Sequence, residues 1–432
     1  RHWPAGPIRS CCPIRPTAGG SRSITVISPC RSMTMGYGYR CDFDGRFSTS
    51  LSDRDVMVVS NHVARIKNFE IESLRGLAII LMVAGHVIGS DPERGMQVPE
   101  TSAWRFFYVA LEDIRMPLFT VLSGYVYAYR PLASLAKYPK MVKGKARRLL
   151  IPLLTVGTAV FLIQVFLPGT NTQPALSELW RIYFWGFEHL WFVQAIFLIF
   201  LLAGVLDALR ILESRRNWWI TFGLASVAFI VVVVPGDWNI FSVNGAIRLL
   251  PFFLVGYALH QFPPPNRAAF SIAVAVFTVA FTVRMFELTG NASGLSATGD
   301  KALSFFIGLT ACTTLMLGRK YIYLPLLAWL GPFAFGIYLL HVFGSAGMRM
   351  ALEGLGVHAP VVVFFACLIT AIAVPIVFEV TFGKVGWISW AFLGQKPFVG
   401  HTSPLQRRDV LRDGGTRPLR VTSDIATDEE LP

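Results

Sequence analysis

Long unbroken runs of apolar residues constrain this chain more than any other feature. A bilayer core is about 30 Å thick, and a helix needs about 20 apolar residues to cross it. Such runs recur along most of the 432 residues, and hydrophobic residues make up 53% of the chain against 15% charged. That is too little charge to coat a soluble protein of this length. A backbone in lipid must satisfy its own hydrogen bonds, so the runs are helices. The expected fold class is all-α, a polytopic transmembrane helix bundle of about ten spans.

The expected spans cover 71–89, 116–129, 149–167, 190–206, 218–234, 246–259, 268–286, 302–317, 324–343 and 360–382. The second is short unless 104–111 continues it. Basic residues fall in alternate connections. Arg130, Lys137, Lys140, Lys143, Lys145, Arg147 and Arg148 follow the second span, Arg210, Arg215 and Arg216 the fourth, and Arg319 and Lys320 the eighth. The tail carries Lys384, Lys396, Arg407, Arg408 and Arg412. The positive-inside rule puts these segments and both termini in the cytoplasm. The net charge of +13 is therefore a topology signal, and no nucleic-acid partner is expected.

Three segments are expected. Residues 1–60 are rich in Arg, Ser, Pro, Gly and Cys with no apolar period. They read as a disordered N-terminal segment or a mis-called start, with Met57 as the alternative first residue. Residues 61–393 form the transmembrane domain, and 394–432 a disordered cytoplasmic tail. Cys11, Cys12, Cys30 and Cys41 match no metal spacing, and Cys312 and Cys367 read as small core residues. No metal site is expected.

Ionisable groups inside spans are costly, and so they mark function by default. Arg75 and His86 share the first span, eleven residues apart. That spacing keeps them near one helix face, about 16 Å apart along the axis. Arg75 also suits headgroup snorkelling or pairing with Glu72. Arg115 enters the second span just before Pro117, a residue suited to a first helical turn, and Ser123, Gly124 and Tyr125 follow. Arg147 and Arg148 read as a topology signal or as phosphate ligands. His189 and Trp191 open the fourth span, where a Trp is commonly an interfacial anchor. His341 lies in the ninth. The spans contain almost no internal Asp or Glu, which speaks against ion-coupled transport.

Five stretches in this order resemble acyltransferase family 3, and within it the fucose 4-O-acetylase-like branch: Ser73-Leu-Arg-Gly-Leu-Ala-Ile with His86, Met116-Pro-Leu-Phe with Ser123-Gly-Tyr, Arg148-Leu-Leu-Ile-Pro, His189-Leu-Trp-Phe, and Gly336-Ile-Tyr-Leu-Leu-His. The resemblance covers about residues 67–392. It implies a multi-pass inner-membrane O-acyltransferase acting on a cell-envelope or exported glycan. Acyl-CoA, acetyl-CoA first, is then a co-substrate, and no cofactor is permanently bound. Partners implied are the glycan or lipid-linked sugar acceptor, membrane lipid and glycan-assembly proteins.

The resemblance puts His86 and Arg75 at the catalytic position, with His86 as general base or acyl carrier. Arg75, Arg147 and Arg148 fall to the donor, and Arg115, Ser123, Tyr125, His189, Trp191 and His341 to the substrate. Arg115 stands where relatives often carry His, so a second histidine role does not transfer to it. The alternative is a transporter or flippase of a lipid-linked or polar solute.

The charge bias predicts topology directly. Single cysteines placed in 131–146 or 407–412 should be labelled from the cytoplasmic side, and those in 235–245 from outside. An externally labelled 131–146 segment overturns the orientation.

Overall fold

The computed structural model describes residues 68–132, 134–263, 268–290 and 295–395. The expected 1–60 segment and all but the first two residues of the 394–432 tail lie outside them. Every regular element among the described residues is helical. Ten helices have 17 residues or more: α1 Phe69–Ile88, α2 Ala103–Tyr127, α3 Tyr138–Phe166, α4 Trp191–Ala208, α5 Arg215–Val231, α6 Val243–Gln261, α7 Ala268–Leu288, α8 Ala297–Leu317, α9 Ala334–Gly354 and α10 Pro360–Phe382. A short α11, Gly386–Leu393, closes the bundle.

Eight segments among the described residues are long and apolar enough to cross a membrane. The two long helices that fall short of that measure are α2 and α5. Glu112, Asp113 and Arg115 interrupt the apolar stretch of α2, and α5 stops at 17 residues.

Three sequence expectations change. The second span is one 25-residue helix from Ala103, and Pro117 lies inside it rather than at its start. Proline removes one backbone bond, to the carbonyl four residues before. That carbonyl belongs to Asp113, and it faces Gly308 of α8 at a point where a Cβ would stand only 2.7 Å away. Second, Lys140 to Arg148 are not in a loop but form the opening turns of α3. Third, the ninth span is broken. A short helix, Pro325–Leu330, gives way at Gly331–Phe333 to α9, which runs on to Gly354.

Local chemistry sets the helix starts. Asn68 caps α1 by accepting from the Ile71 amide at 3.2 Å, and Ser102 caps α2 by accepting from Arg105 at 3.2 Å. Gly89, at φ 94°, ends α1 just beyond His86, a conformation open to glycine with no steric cost. Its carbonyl accepts from the buried Arg105 of α2, which ties the α1–α2 connection to the second helix. Ser73 ties the other end of α1, donating to the Ile322 carbonyl at 3.2 Å and accepting from the Leu324 amide at 3.1 Å.

A close helix contact joins α2 to α6. A Cβ on Gly124 would overlap the Phe253 carbonyl, and one on Gly256 would overlap the Val121 carbonyl. Each backbone thus occupies the space that a side chain would need on the other, as small residues allow between membrane helices. Asp207 locks the same region. It accepts hydrogen bonds from Tyr127 of α2 (3.1 Å), Tyr257 of α6 (3.0 Å) and the Leu132 amide. The scarcity of carboxylates inside spans is therefore only partial: Asp207 sits in the last turn of α4, and Asp113 pairs with Arg284 of α7 at 3.4 Å and accepts from Ser304.

Neither glycine can accept a branched side chain without parting α2 from α6. Gly124→Val and Gly256→Val should each lower stability by about 1–3 kcal/mol or more, read as a drop in the thermal midpoint of the full chain in detergent. An unchanged midpoint for both removes the backbone contact from the account of the fold.

Candidate functional site

α1 carries His86 to the end of the bundle opposite the basic opening of α3. There His86 stands exposed on a cavity of about 590 Å³, a volume typical of small-molecule sites. Two further histidines close in behind it. His189 comes from the turn before α4 and His341 from α9; they are 2% and 0% exposed. Ring centroids are 5.0 Å apart for His86 and His341, 4.7 Å for His189 and His341, and 6.1 Å for His86 and His189.

Backbone carbonyls hold the two buried rings. Nδ1 of His341 lies 2.9 Å from the Tyr338 carbonyl, and Nε2 of His189 lies 3.2 Å from the Leu339 carbonyl. The Tyr338 hydroxyl donates in turn to the His189 carbonyl. One turn of α9 thus fixes both rings. Among the described residues no group of His, Cys, Asp and Glu side chains is arranged to hold a metal ion.

Arg115 of α2 forms the cationic wall. It is 7% exposed, its guanidinium carbon sits 4.1 Å above the Tyr108 ring, and its Nη2 donates to the Tyr108 carbonyl at 3.4 Å. No carboxylate among the described residues forms an ion pair with it, whereas Arg94 and Arg349, also on the cavity, are paired with Glu188 and Glu353 at 3.2 Å and 2.6 Å. Gly85, next to His86, makes room for that guanidinium; a Cβ there would overlap Nη1. A neutral imidazole faced by an unpaired buried cation can take a proton from a hydroxyl while the cation stabilises a developing oxyanion.

Of the sequence-identified residues, His86, Arg115, His189, Trp191 and His341 line this cavity. Ser123 does not: its hydroxyl donates to the Phe119 carbonyl of its own helix at 2.9 Å. Tyr125 also lies elsewhere, its ring edge-on to Tyr129 and His260 at 5.6 Å and 5.3 Å.

Arg75, Arg147 and Arg148 gather at the other end. Arg75 pairs with Glu72 at 3.2 Å, and Arg148 is in electrostatic reach of Arg75, Arg147 and Glu379. Arg147 donates from Nε to the Gly394 carbonyl at 3.4 Å, which binds the base of α3 to the end of α11.

The sequence reading missed polar cavity residues, among them Arg94, Glu112, Gln164, Glu188 and Arg349. Glu188 accepts from Arg94 and from Gln164, each at 3.2 Å, and so links the connection after α1 to α3. Glu112 was within reach of sequence reasoning, because a helix drawn from Ala103 places it one turn before Arg115. Arg94 and Gln164 carry no periodic signal.

Residues 68–380 match a family model described as an acyltransferase domain. No curated protein and no solved structure matches the chain.

The three histidines differ in access, and that difference is measurable. Diethyl pyrocarbonate should carbethoxylate His86 well before His189 and His341, as read by peptide mapping of the full chain. Equal rates for all three would contradict the burial described here.

Proposed function

Because the chain belongs to acyltransferase family 3 and its apolar helices make it a multi-pass membrane protein, we propose that it is an inner-membrane O-acyltransferase of the fucose 4-O-acetylase-like branch. It moves an acetyl group from acetyl-CoA to a hydroxyl of a cell-envelope or exported glycan. The observation that carries this reading is the exposed imidazole of His86 on a cavity whose buried cation, Arg115, lacks an ion-pair partner among the described residues. All ten long helices cross the membrane in this proposal, with both termini cytoplasmic. Val232, Val233 and Val234 follow α5 directly and continue its apolar stretch, which supports that count.

The donor enters from the basic end. Phosphates of CoA meet Arg75, Arg147 and Arg148, where planar guanidiniums suit phosphate oxygens. The thioester arm then spans the roughly 16 Å of helix between Arg75 and His86. The acceptor occupies the cavity at the other end.

There His86 takes the proton of the acceptor hydroxyl as its oxygen attacks the thioester carbonyl. Arg115 faces the negative charge that builds on the carbonyl oxygen. The carbon–sulfur bond breaks, and the departing CoA thiolate receives the proton from His86. The products are the O-acetyl ester and CoA, and every proton is accounted for.

Detergent-purified protein should consume acetyl-CoA in the presence of a glycan acceptor. His86→Ala should lower kcat by roughly 10²–10⁴-fold with insertion intact. The double change Arg147→Gln with Arg148→Gln should raise KM for acetyl-CoA and spare kcat. Wild-type turnover by a well-inserted His86→Ala protein would remove His86 from the chemistry.

A further inference from the structure

Each buried imidazole of the histidine cluster uses one nitrogen on a backbone carbonyl: Nδ1 of His341 on Tyr338, Nε2 of His189 on Leu339. A carbonyl oxygen only accepts, so those nitrogens carry the hydrogens, and in a neutral ring the other nitrogen is a lone pair. These lone pairs, Nε2 of His341 and Nδ1 of His189, are buried and have no partner among the described residues. A buried acceptor left without a donor is costly, and its persistence asks for a reason.

The groups that face His86 limit the answer. They are His341 from α9, His189 from the turn before α4, Arg115 from α2 and Arg94 from the connection after α1. A guanidinium has no acceptor atom, so of these charged or titratable neighbours only the two histidines can receive an N–H from His86. Distance chooses between them. An N–H to N bond of about 2.9 Å between rings of about 1.2 Å radius puts the centroids roughly 5 Å apart. His341 stands at 5.0 Å and His189 at 6.1 Å. The His86 and His341 planes meet at 47°, and the exposed His86 ring is free on its cavity side to turn into line.

We infer that His341 is a positioning residue for His86: its Nε2 accepts the His86 N–H and thereby holds the second His86 nitrogen, as a lone pair, toward the acceptor hydroxyl. The role rests on the acyl-transfer reading above; the contact itself does not. During transfer His86 becomes an imidazolium with two N–H groups. One has just been formed from the hydroxyl proton, and the other stays on the His341 lone pair. His341 gains no proton. The new proton leaves from His86 to the CoA thiolate. Tyr338 supports the arrangement from both sides, since its carbonyl sets the His341 tautomer and its hydroxyl holds the His189 backbone.

Two measurements on the full chain in detergent test this. In the first, ¹⁵N-histidine NMR should find His341 protonated on Nδ1, with an Nε2 signal that shifts in His86→Ala. This arm needs no activity. In the second, His341→Phe should lower kcat by roughly 10²–10⁴-fold, the scale of losing the base, with KM for donor and acceptor unchanged. His341→Gln, whose amide oxygen can reach the position of Nε2, should restore most of kcat; a merely structural role would not separate Gln from Phe in this way. Wild-type kcat in His341→Phe, equal loss in the Gln and Phe variants, or a His341 signal indifferent to His86→Ala would each overturn the inference. If the wild-type chain transfers no acyl group, the function reading fails and the positioning role fails with it, while the NMR arm still decides the contact.

Discussion

The touching backbones of α2 and α6 are the constraint on which the site depends. Gly124 and Gly256 let each helix lie against a carbonyl of the other, and helix packing of this kind has to stand in for the hydrophobic effect inside a bilayer. The contact fixes the depth of α2, and α2 carries Tyr108, Glu112 and Arg115. Arg115 then fills the space left by Gly85 on α1, one residue from His86. A chain of close approaches therefore runs from the α6 backbone to the exposed imidazole. Bulk at any link moves the Arg115 guanidinium relative to the His86 ring.

The histidine cluster shows how a polar group survives at membrane depth. Lipid offers no water to satisfy imidazole nitrogens, so each buried ring takes a backbone carbonyl within one turn of α9. This leaves one nitrogen on each without a partner among the described residues. Asp207 follows the opposite plan. Two tyrosine hydroxyls and an amide engage its carboxylate, which makes it a clamp among α2, α4 and α6.

The two ends of α1 differ in chemistry. Arg75 joins Arg147 and Arg148 at one end among the carboxylates Glu72 and Glu379, and His86 faces a cavity at the other. Ala78, Ile79, Met82 and Val83 are buried between them. In the proposed reaction a donor at the first end and an acceptor at the second meet through an arm that passes this stretch. The proposed direction of acyl transfer is written into the order of residues along one helix.

The amino-acid sequence by itself determined the helical class and most element positions, because apolar period and length suffice for a helix in lipid; the tenth span was expected at 360–382 and α10 covers Pro360–Phe382. Where polar residues or Pro interrupted the pattern, the sequence reading stopped short. Glu112, Asp113 and Pro117 hid the continuity of α2, and Gly331 and Pro332 sit in the break before α9. His86 was legible as an unusual residue at membrane depth, and Arg115, His189 and His341 were singled out toward the outer side of their spans. Their meeting was not, because His189 and the Leu339 carbonyl that holds it are 150 residues apart. Only tertiary packing decides which helices touch, and so only the structure could separate Ser123 and Tyr125 from the cavity, place Glu112 and Glu188 on it, and set the tautomers of the buried rings. Helical period acts over a few residues, whereas a site between helices depends on the backbone contacts that choose their neighbours.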